Sequence, residues 1–288
     1  MKNDLLNKNL DNIPKYGLFE VDRLRMKDRI GFLPISIWEP DWNITKQLKG
    51  IIGDSGQSRE WTKSSQNFRS IGWSGKDKPQ KISIFNPHLA QMILSAYCPK
   101  EAKIYDPFGG GGTRGFIAAA MGHRYYGIEI RKEEVDRLIQ QRKELKKKFH
   151  ITLGDSKFYE FKDDFFDFSY TCPPYYNLEI YSELEGDISN AKTYDDFLTM
   201  LFMSMKGVYK GLKKGCLSVW VVGNFRDKIG NLVHFNGDII RLGKKCGFQL
   251  HDELIFWGAS KSAVQRSGQF EANRKSVRVH EYIIIFKK

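Results

Sequence analysis

The most constraining stretch of the chain is Ile104-Tyr105-Asp106-Pro107-Phe108-Gly109-Gly110-Gly111-Gly112-Thr113. An apolar run ends in Asp-Pro, four glycines follow, and a helical pattern then begins. That order reads as a strand, a tight turn and a helix N-terminus. Residues without Cβ let the turn take unusual φ/ψ and let a ligand lie against bare backbone. The N–H groups of the next helix's first turn then face that ligand. The helix is expected over Thr113–Met121, with Ala118, Ala119 and Ala120 allowing close packing on a sheet and Gly122 ending it.

Tyr125-Tyr126-Gly127-Ile128-Glu129-Ile130 reads as a second strand with an acid near its C-terminal end. Glu129 stands 23 residues after Asp106, a spacing that suits a carboxylate gripping ribose hydroxyls beside the first turn. Asp155, after the short run Ile151-Thr152-Leu153-Gly154, is a third acid of the same kind. Three acidic strand ends on one edge suit a ligand rich in hydroxyl and amino groups, and suit a pyrophosphate poorly.

A second stretch, Thr171-Cys172-Pro173-Pro174-Tyr175, follows the apolar strand pattern Phe165–Tyr170. Neither proline has an N–H to give a ladder, so the strand must stop there. Its carbonyls are left pointing into the cleft beside an aromatic side chain. Rigid acceptors next to an aromatic plate can hold the exocyclic amine of a stacked base.

Asp106-Pro107-Phe108-x-Gly110-x-Gly112-Thr113 followed by Cys172-Pro173-Pro174-Tyr175 resembles the S-adenosylmethionine-dependent amino-methyltransferases of adenine N6 and cytosine N4, with the glycine motif before the Pro-Pro-Tyr motif, as in phage and mobile-element enzymes. The resemblance implies an α/β, Rossmann-like class I methyltransferase fold. Such a fold has a mostly parallel seven-stranded sheet, helices on both faces and a closing antiparallel hairpin. It implies a catalytic domain over 81–288, preceded by an N-terminal extension over 1–80 that is a candidate for DNA contact. Cofactor contacts are carried over to Phe85, Asn86, Asp106, Phe108, Gly109, Gly110, Gly112, Thr113, Glu129, Asp155 and Thr171. For Phe85 and Asn86, ordinary helix capping is the equal alternative. Cys172, Pro173, Pro174 and Tyr175 are the catalytic candidates.

The resemblance also implies the chemistry. Carbonyls of the Pro-Pro turn would hold the amine's hydrogens and free its lone pair, while Tyr175 would stack on a base taken out of the duplex. The family has Asp, Asn or Ser where this chain has Cys172, whose thiol is a poor acceptor. That departure blurs the choice between adenine and cytosine; adenine N6 is preferred because it is the commoner family target. Double-stranded DNA is the expected partner, and the resemblance admits a restriction endonuclease as another. An RNA amino-methyltransferase, a protein-glutamine methyltransferase and a silent DNA-binding subunit of the same fold remain as rivals.

Composition agrees with a polyanion partner: 46 Lys and Arg stand against 34 Asp and Glu, a net charge of +12. No 18-residue apolar run and no signal-peptide pattern are present in the sequence, so no membrane span and a cytoplasmic setting in a bacterial or phage-infected cell are expected. Four scattered cysteines and six scattered histidines give neither a disulfide framework nor a metal spacing, and no metal is expected.

The N-terminal stretch offers a short strand at Ile35–Trp38 and a helix over 43–52, with Trp38, Trp42, Trp61 and Trp73 as packing or DNA-facing aromatics. Asn86 and Pro87 read as the cap and first residue of a helix. Thr193 caps a long helix that Gly215 is expected to end. Leu217–Val222, Leu250–Trp257 and His280–Phe286 read as the last strands, with a helix at Asp238–Cys246. Tyr176, Asn177 and Glu179 follow the Pro-Pro-Tyr motif and are candidates for base contact. The loop from Gly258 to Arg278 is long and basic; Lys261, Arg266, Arg274, Lys275 and Arg278 are its candidates for phosphate contact.

Overall fold

The computed structural model describes residues 36–39, 85–145, 149–158, 161–176, 178, 181–258 and 268–288. The expectations for Asn177, Glu179, Lys261, Arg266, the 43–52 helix, and Trp42, Trp61 and Trp73 lie outside the described residues.

The first glycine-turn unit forms as the sequence dictates. Strand β2 (Lys103–Asp106) leads through the turn into helix α2 (Thr113–Ala120), and Gly122, at φ +92°, follows its end. Helix α1 (Pro87–Tyr97) precedes this unit and packs on α2. Strand β3 (Arg124–Glu129), helix α3 (Lys132–Leu145) and strand β4 (Phe149–Leu153) complete one half of the sheet. The other half starts at β5 (Phe166–Thr171) and continues through helix α4 (Tyr194–Gly211) into β6 (Leu212–Val222). A small separate hairpin, β7 (Phe225–Arg226) with β8 (Leu232–Val233), precedes helix α5 (Phe235–Cys246). Strand β9 (Gln249–Trp257), a six-residue helix α6 (Gly268–Asn273) and β10 (His280–Lys287) end the chain.

Strands β4, β3, β2, β5 and β6 run parallel in that order; β10 pairs antiparallel with both β6 and β9. This is the Rossmann-like arrangement with a closing antiparallel hairpin. The order reverses between β2 and β5, so their C-terminal ends flank a crevice. The sheet has eight strands where seven were expected. The eighth, β1 (Ile37–Trp38), lies before the expected boundary at residue 80 yet pairs parallel with β9 through Ile37–Ile255 and Trp38–Phe256. Two residues suffice because Trp38 is buried and stacks on Tyr97 of α1 at 6.1 Å.

The alternation of side chains along each strand builds two cores. Tyr105, Phe166, Trp220, Val222, Ile284 and Phe286 face α4 and α5, where Phe197, Leu201, Met205, Phe235 and Ile239 meet them. On the opposite face Tyr125 and Phe149 stack at 5.2 Å beneath α2. Helix α4 starts with a capping box, Thr193 Oγ1 accepting from Asp196 N at 3.1 Å while the Asp196 carboxylate accepts from Thr193 N at 3.2 Å. The helix ends at Gly211, four residues before the expected stop. Leu212 already pairs with Phe166, and Gly211 lies so close to that ring that a Cβ would stand 3.2 Å from it. Gly215 instead sits within β6 at φ +81°, its N–H donating to Lys288 O at 2.7 Å. Within the basic segment expected to be all loop, α6 is a short helix. Among the described residues no helix is long and apolar enough to cross a membrane.

Helix α2 approaches β3 and β4 through Gly115, where a Cβ would lie 2.2 Å from Phe149 Cε2 and 2.6 Å from Tyr125 Cε1. Gly115→Ala therefore overpacks this contact by about 1–3 kcal/mol, only partly offset by the roughly 1 kcal/mol gain in helix propensity. Urea unfolding is expected to show a lower midpoint with unchanged slope; a midpoint equal to or above that of the native chain would contradict the close contact.

Candidate active site

Asp106, the last residue of β2, is fully buried at 0% exposure. Its carboxylate accepts four hydrogen bonds from inside the protein. Oδ1 receives Phe108 N at 3.1 Å and Thr171 Oγ1 at 2.7 Å; Oδ2 receives Arg114 Nε at 2.7 Å and Tyr125 Oη at 2.7 Å. One side chain thus joins the glycine turn, the start of α2, strand β3 and the end of β5. Arg114 also donates from Nη2 to Phe108 O, and its guanidinium lies 5.2 Å over the Phe85 ring. Burial disfavours the Arg114 charge, but the adjoining Asp106 carboxylate outweighs it and holds the guanidinium above its ordinary range. Burial, reinforced by Asp106, likewise keeps the Tyr125 phenol protonated far above its ordinary range.

The turn itself is tight. Gly109 N donates to Ile128 O at 2.6 Å, and a Cβ at Gly109 would lie 2.7 Å from Ile151 Cδ1. Gly110 and Gly112 have φ of +41° and +77°. Gly112 and Thr113 begin α2, and Thr113 is buried. Phe108 packs against the α4–α5 core. Gly111, which the sequence reading left out of the site, is the member of the turn with an open Cβ position, nothing lying within 4 Å of it.

The three acids at strand ends are not equivalent. Asp106 faces inward. Glu129, at the end of β3, has its Oε1 bonded to Arg131 N at 2.9 Å and Arg131 Nε at 3.1 Å, while among the described residues Oε2 accepts none. Burial raises the Glu129 carboxyl above its ordinary value of 4.5, against the pull of Arg131. Asp155, beyond β4, accepts from Lys157 N at 3.0 Å and pairs with Lys157 Nζ at 2.8 Å. Lys157 also donates to Gly186 O, drawing the 181–186 segment toward this edge. The cleft so formed, about 800 Å³, is lined by Ile130, Asp155, Tyr181, Gly186 and their neighbours.

The Pro-Pro-Tyr motif leaves β5 directly beside this knot, because Thr171 is both the end of β5 and a donor to Asp106. Pro173 is buried, and Cys172 and Pro174 are half-buried. Tyr175 Oη accepts from Gly223 N at 2.7 Å, and its ring meets Phe225 and Phe235 at 6.1 and 5.8 Å. Tyr176 packs on Tyr194 and Phe197 and donates to Lys192 O at 3.3 Å. Phe85 comes to the same place, its ring edge-on to Tyr170 at 5.5 Å. The Asn86 side chain caps α1, Oδ1 accepting from His88 N at 2.8 Å and Leu89 N at 3.2 Å.

Of the basic candidates, Arg274 is exposed and lies over Phe270 at 5.7 Å; Lys275 Nζ donates to Gly230 O at 2.9 Å; Arg278 is half-buried, with Nε shielded from solvent and lacking a hydrogen-bond partner among the described residues. Among the described residues no group of three His, Cys, Asp or Glu side chains could hold a metal ion.

Sequence reasoning missed Arg114, Arg131 and Lys157, the cations that orient the three acids. Arg114 carried a signal: a cation in the first turn of a helix opposes the helix dipole, so it needs a local anion.

The family model described as DNA methylase matches residues 37–141. A type II methyltransferase of Lactococcus lactis subsp. cremoris is 31% identical over 93 residues, which are 32% of this chain and 29% of that protein. A type II methyltransferase of Streptococcus pneumoniae is 32% identical over 82 residues, 28% of this chain and 29% of that protein. The similarity thus spans under a third of either relative's length. Among solved structures, the 4+2 cyclase SpnF superposes with a TM-score of 0.51 at 12% identity, covering 81% of this chain and 94% of the cyclase, a likeness of fold alone.

The Thr171–Asp106 hydrogen bond couples the two motifs. Thr171→Val keeps the shape and removes the donor, at a cost of about 1.5–3 kcal/mol for a bond to a charged acceptor. Denaturant unfolding is expected to show this loss with far-UV circular dichroism unchanged; an unaltered midpoint would deny the coupling.

Proposed function

We propose that this chain, whose residues 37–141 match the DNA methylase family model, is an N6/N4 DNA methylase that transfers a methyl group from S-adenosylmethionine to an exocyclic amine of a base in DNA. The observation that carries this reading is the 2.7 Å bond from Thr171 to Asp106, which sets the Pro-Pro-Tyr turn beside the glycine turn. The residues present fit the cofactor. Gly111 leaves open backbone, Glu129 has a carboxylate oxygen without an internal donor among the described residues, and a cleft lies between Ile130 and Asp155.

In this reading Glu129 accepts the ribose hydroxyls, Asp155 faces the adenine edge, and the glycine turn with Phe85 borders the methionine end. Phe108, Gly109, Gly110, Gly112 and Thr113 shape the backbone there; Asp106 and Thr171 act as positioning residues. The bound cofactor supplies an electrophilic methyl group on a sulfonium. The protein's task is to aim the amine. Carbonyls at Cys172 and Pro173 accept its hydrogens and so turn its lone pair out of the ring and toward the methyl carbon. The nitrogen would form its new bond to the methyl carbon as the carbon–sulfur bond breaks to leave a neutral thioether, and would give up one hydrogen as a proton. Tyr175, its hydroxyl fixed by Gly223 N, supplies an aromatic wall for the base. Because the acceptors are backbone carbonyls, the thiol of Cys172 need not accept a bond itself.

Adenine N6 is preferred to cytosine N4 on the family's habit alone. Double-stranded DNA as partner, a restriction endonuclease as companion and a cytoplasmic site of action belong to the same proposal. So does the assignment of residues 81–288 as catalytic domain.

Nucleoside mass spectrometry on duplex DNA incubated with the protein and S-adenosylmethionine tests the reaction. N6-methyladenine is expected; N4-methylcytosine would change the base, product in a parallel RNA sample alone would change the substrate, and no product in either would overturn the reading. The cofactor role of Glu129 has a pH signature. Its raised carboxyl takes up a proton at higher pH than an ordinary glutamate, so calorimetric affinity for S-adenosylmethionine should fall as pH drops through that raised value. The stability contribution runs oppositely, since a fold that favours the neutral form gains as pH falls through it. Glu129→Gln should weaken binding by about 1.5–3 kcal/mol and flatten the acid limb; an identical limb in the variant would remove Glu129 from the cofactor.

A further inference from the structure

The hairpin that follows β6 is joined at its root to the candidate active site. Gly223 N holds the Tyr175 hydroxyl, Asn224 Oδ1 accepts from Asn236 N at the start of α5 at 3.0 Å, and the buried ring of Phe225 packs between Tyr175 and Phe235. Its tip is stiff. Asp227 Oδ1 accepts from Ile229 N at 3.1 Å and Asn231 N at 2.7 Å, and Gly230 N donates to Asp227 O at 3.0 Å.

Two cations meet on the flank of this tip. Arg226 Nη1 and Lys275 Nζ both donate to the carbonyl of Gly230, at 3.2 and 2.9 Å. Lys275 arrives from the segment before β10, so the tertiary fold brings the pair together. Gly230, at φ +87°, takes a left-handed conformation that favours glycine, and Lys275 Nζ lies against its open Cα. Among the described residues no carboxylate lies in ion-pair range of either cation. A neutral carbonyl offers two positive charges little relief from their mutual repulsion. Three residues beyond Lys275, the shielded Nε of Arg278 lacks a hydrogen-bond partner among the described residues. The tip carries Lys228, exposed, and Ile229, at 81% the most exposed large hydrophobic side chain among the described residues. A single exposed isoleucine is ordinary. On a rigid turn above an unneutralised cation pair, it marks a surface for a partner that is anionic outside and apolar within its grooves.

We infer that the β7–β8 hairpin together with Lys275 is a duplex-DNA clamp, in which Arg226 and Lys275 each contact one of two neighbouring backbone phosphates and Ile229 enters the adjoining groove. The inference rests on the DNA reading for its partner. It adds a binding element that the glycine and Pro-Pro-Tyr motifs do not contain, fastened to the catalytic turn through Phe225 and Tyr175. A phosphate oxygen replaces a poor shared acceptor with a charged one, and the groove receives the apolar tip as other minor-groove wedges do.

Fluorescence anisotropy of a labelled duplex, titrated with the full chain across a range of salt, measures the clamp. Arg226→Gln and Lys275→Gln should each weaken binding and reduce the slope of log affinity against log salt by about 0.9 per lost phosphate contact. Ile229→Ser should weaken binding with the slope unchanged. Lys275→Arg should restore the slope, which separates lost charge from a disturbed hairpin. Slopes unchanged in both glutamine variants, with native duplex affinity, overturn the clamp. Methyl transfer is measured on the same samples. A native chain that shows the hairpin-dependent slope but methylates no DNA keeps the clamp and loses the catalytic reading; one that methylates DNA with hairpin-independent binding does the reverse.

Discussion

A single buried carboxylate holds this molecule's working edge together. Asp106 has no exposed surface, and its oxygens are satisfied because four donors from four parts of the chain converge on them. Removing water from a carboxylate and a guanidinium is costly, and breaking such a buried pair typically costs about 3–5 kcal/mol. The geometry repays that cost only if Phe108, Arg114, Tyr125 and Thr171 are all in place. The position of the glycine turn relative to the Pro-Pro turn is therefore set by one hydrogen-bonded centre and not by loop packing.

From that centre the site divides into a rigid interior and a receptive rim. Tyr125 and Phe149 brace α2 from below through Gly115. Arg131 and Lys157 orient Glu129 and Asp155, and Asp155 lines the cleft. On the far side, the Tyr175 hydroxyl is tied to Gly223, which joins the Pro-Pro-Tyr turn to the hairpin beyond β6. The chemistry of the proposed methyl transfer asks little of the protein beyond holding an amine and an activated methyl carbon in line, and a stiff frame is what that task requires.

Much of this frame was legible in the sequence because its signals are local. Asn86-Pro87, Thr193 with Asp196, and the Gly-rich turn before Thr113 carry their capping and turn chemistry within a few residues. Two apolar runs marked β9 and β10, and their antiparallel closure was implied by the family resemblance. What could not be read was the outcome of long-range competition. Three acids at strand ends look alike in one dimension, yet tertiary contacts enclose Asp106 among four donors, bury Glu129 against Arg131 and leave Asp155 half-buried at the cleft. Gly215 looked like a helix stop, but Gly211 is the residue pressed against Phe166. Lys275 and Arg226 stand far apart in the chain and meet only on Gly230.

Strand β1 carries a further consequence. Its partner, β9, lies far along the chain, and Ile37 must find Ile255 at a separation of 218 residues. Contacts of such separation form late, because the intervening chain must lose its freedom first. Until Ile37 and Trp38 dock, the outer edge of β9 offers unpaired N–H and C=O groups. The folding protein thus passes through a stage at which its sheet has an open margin, and the docking of Ile37 and Trp38 closes that margin at Ile255 and Phe256.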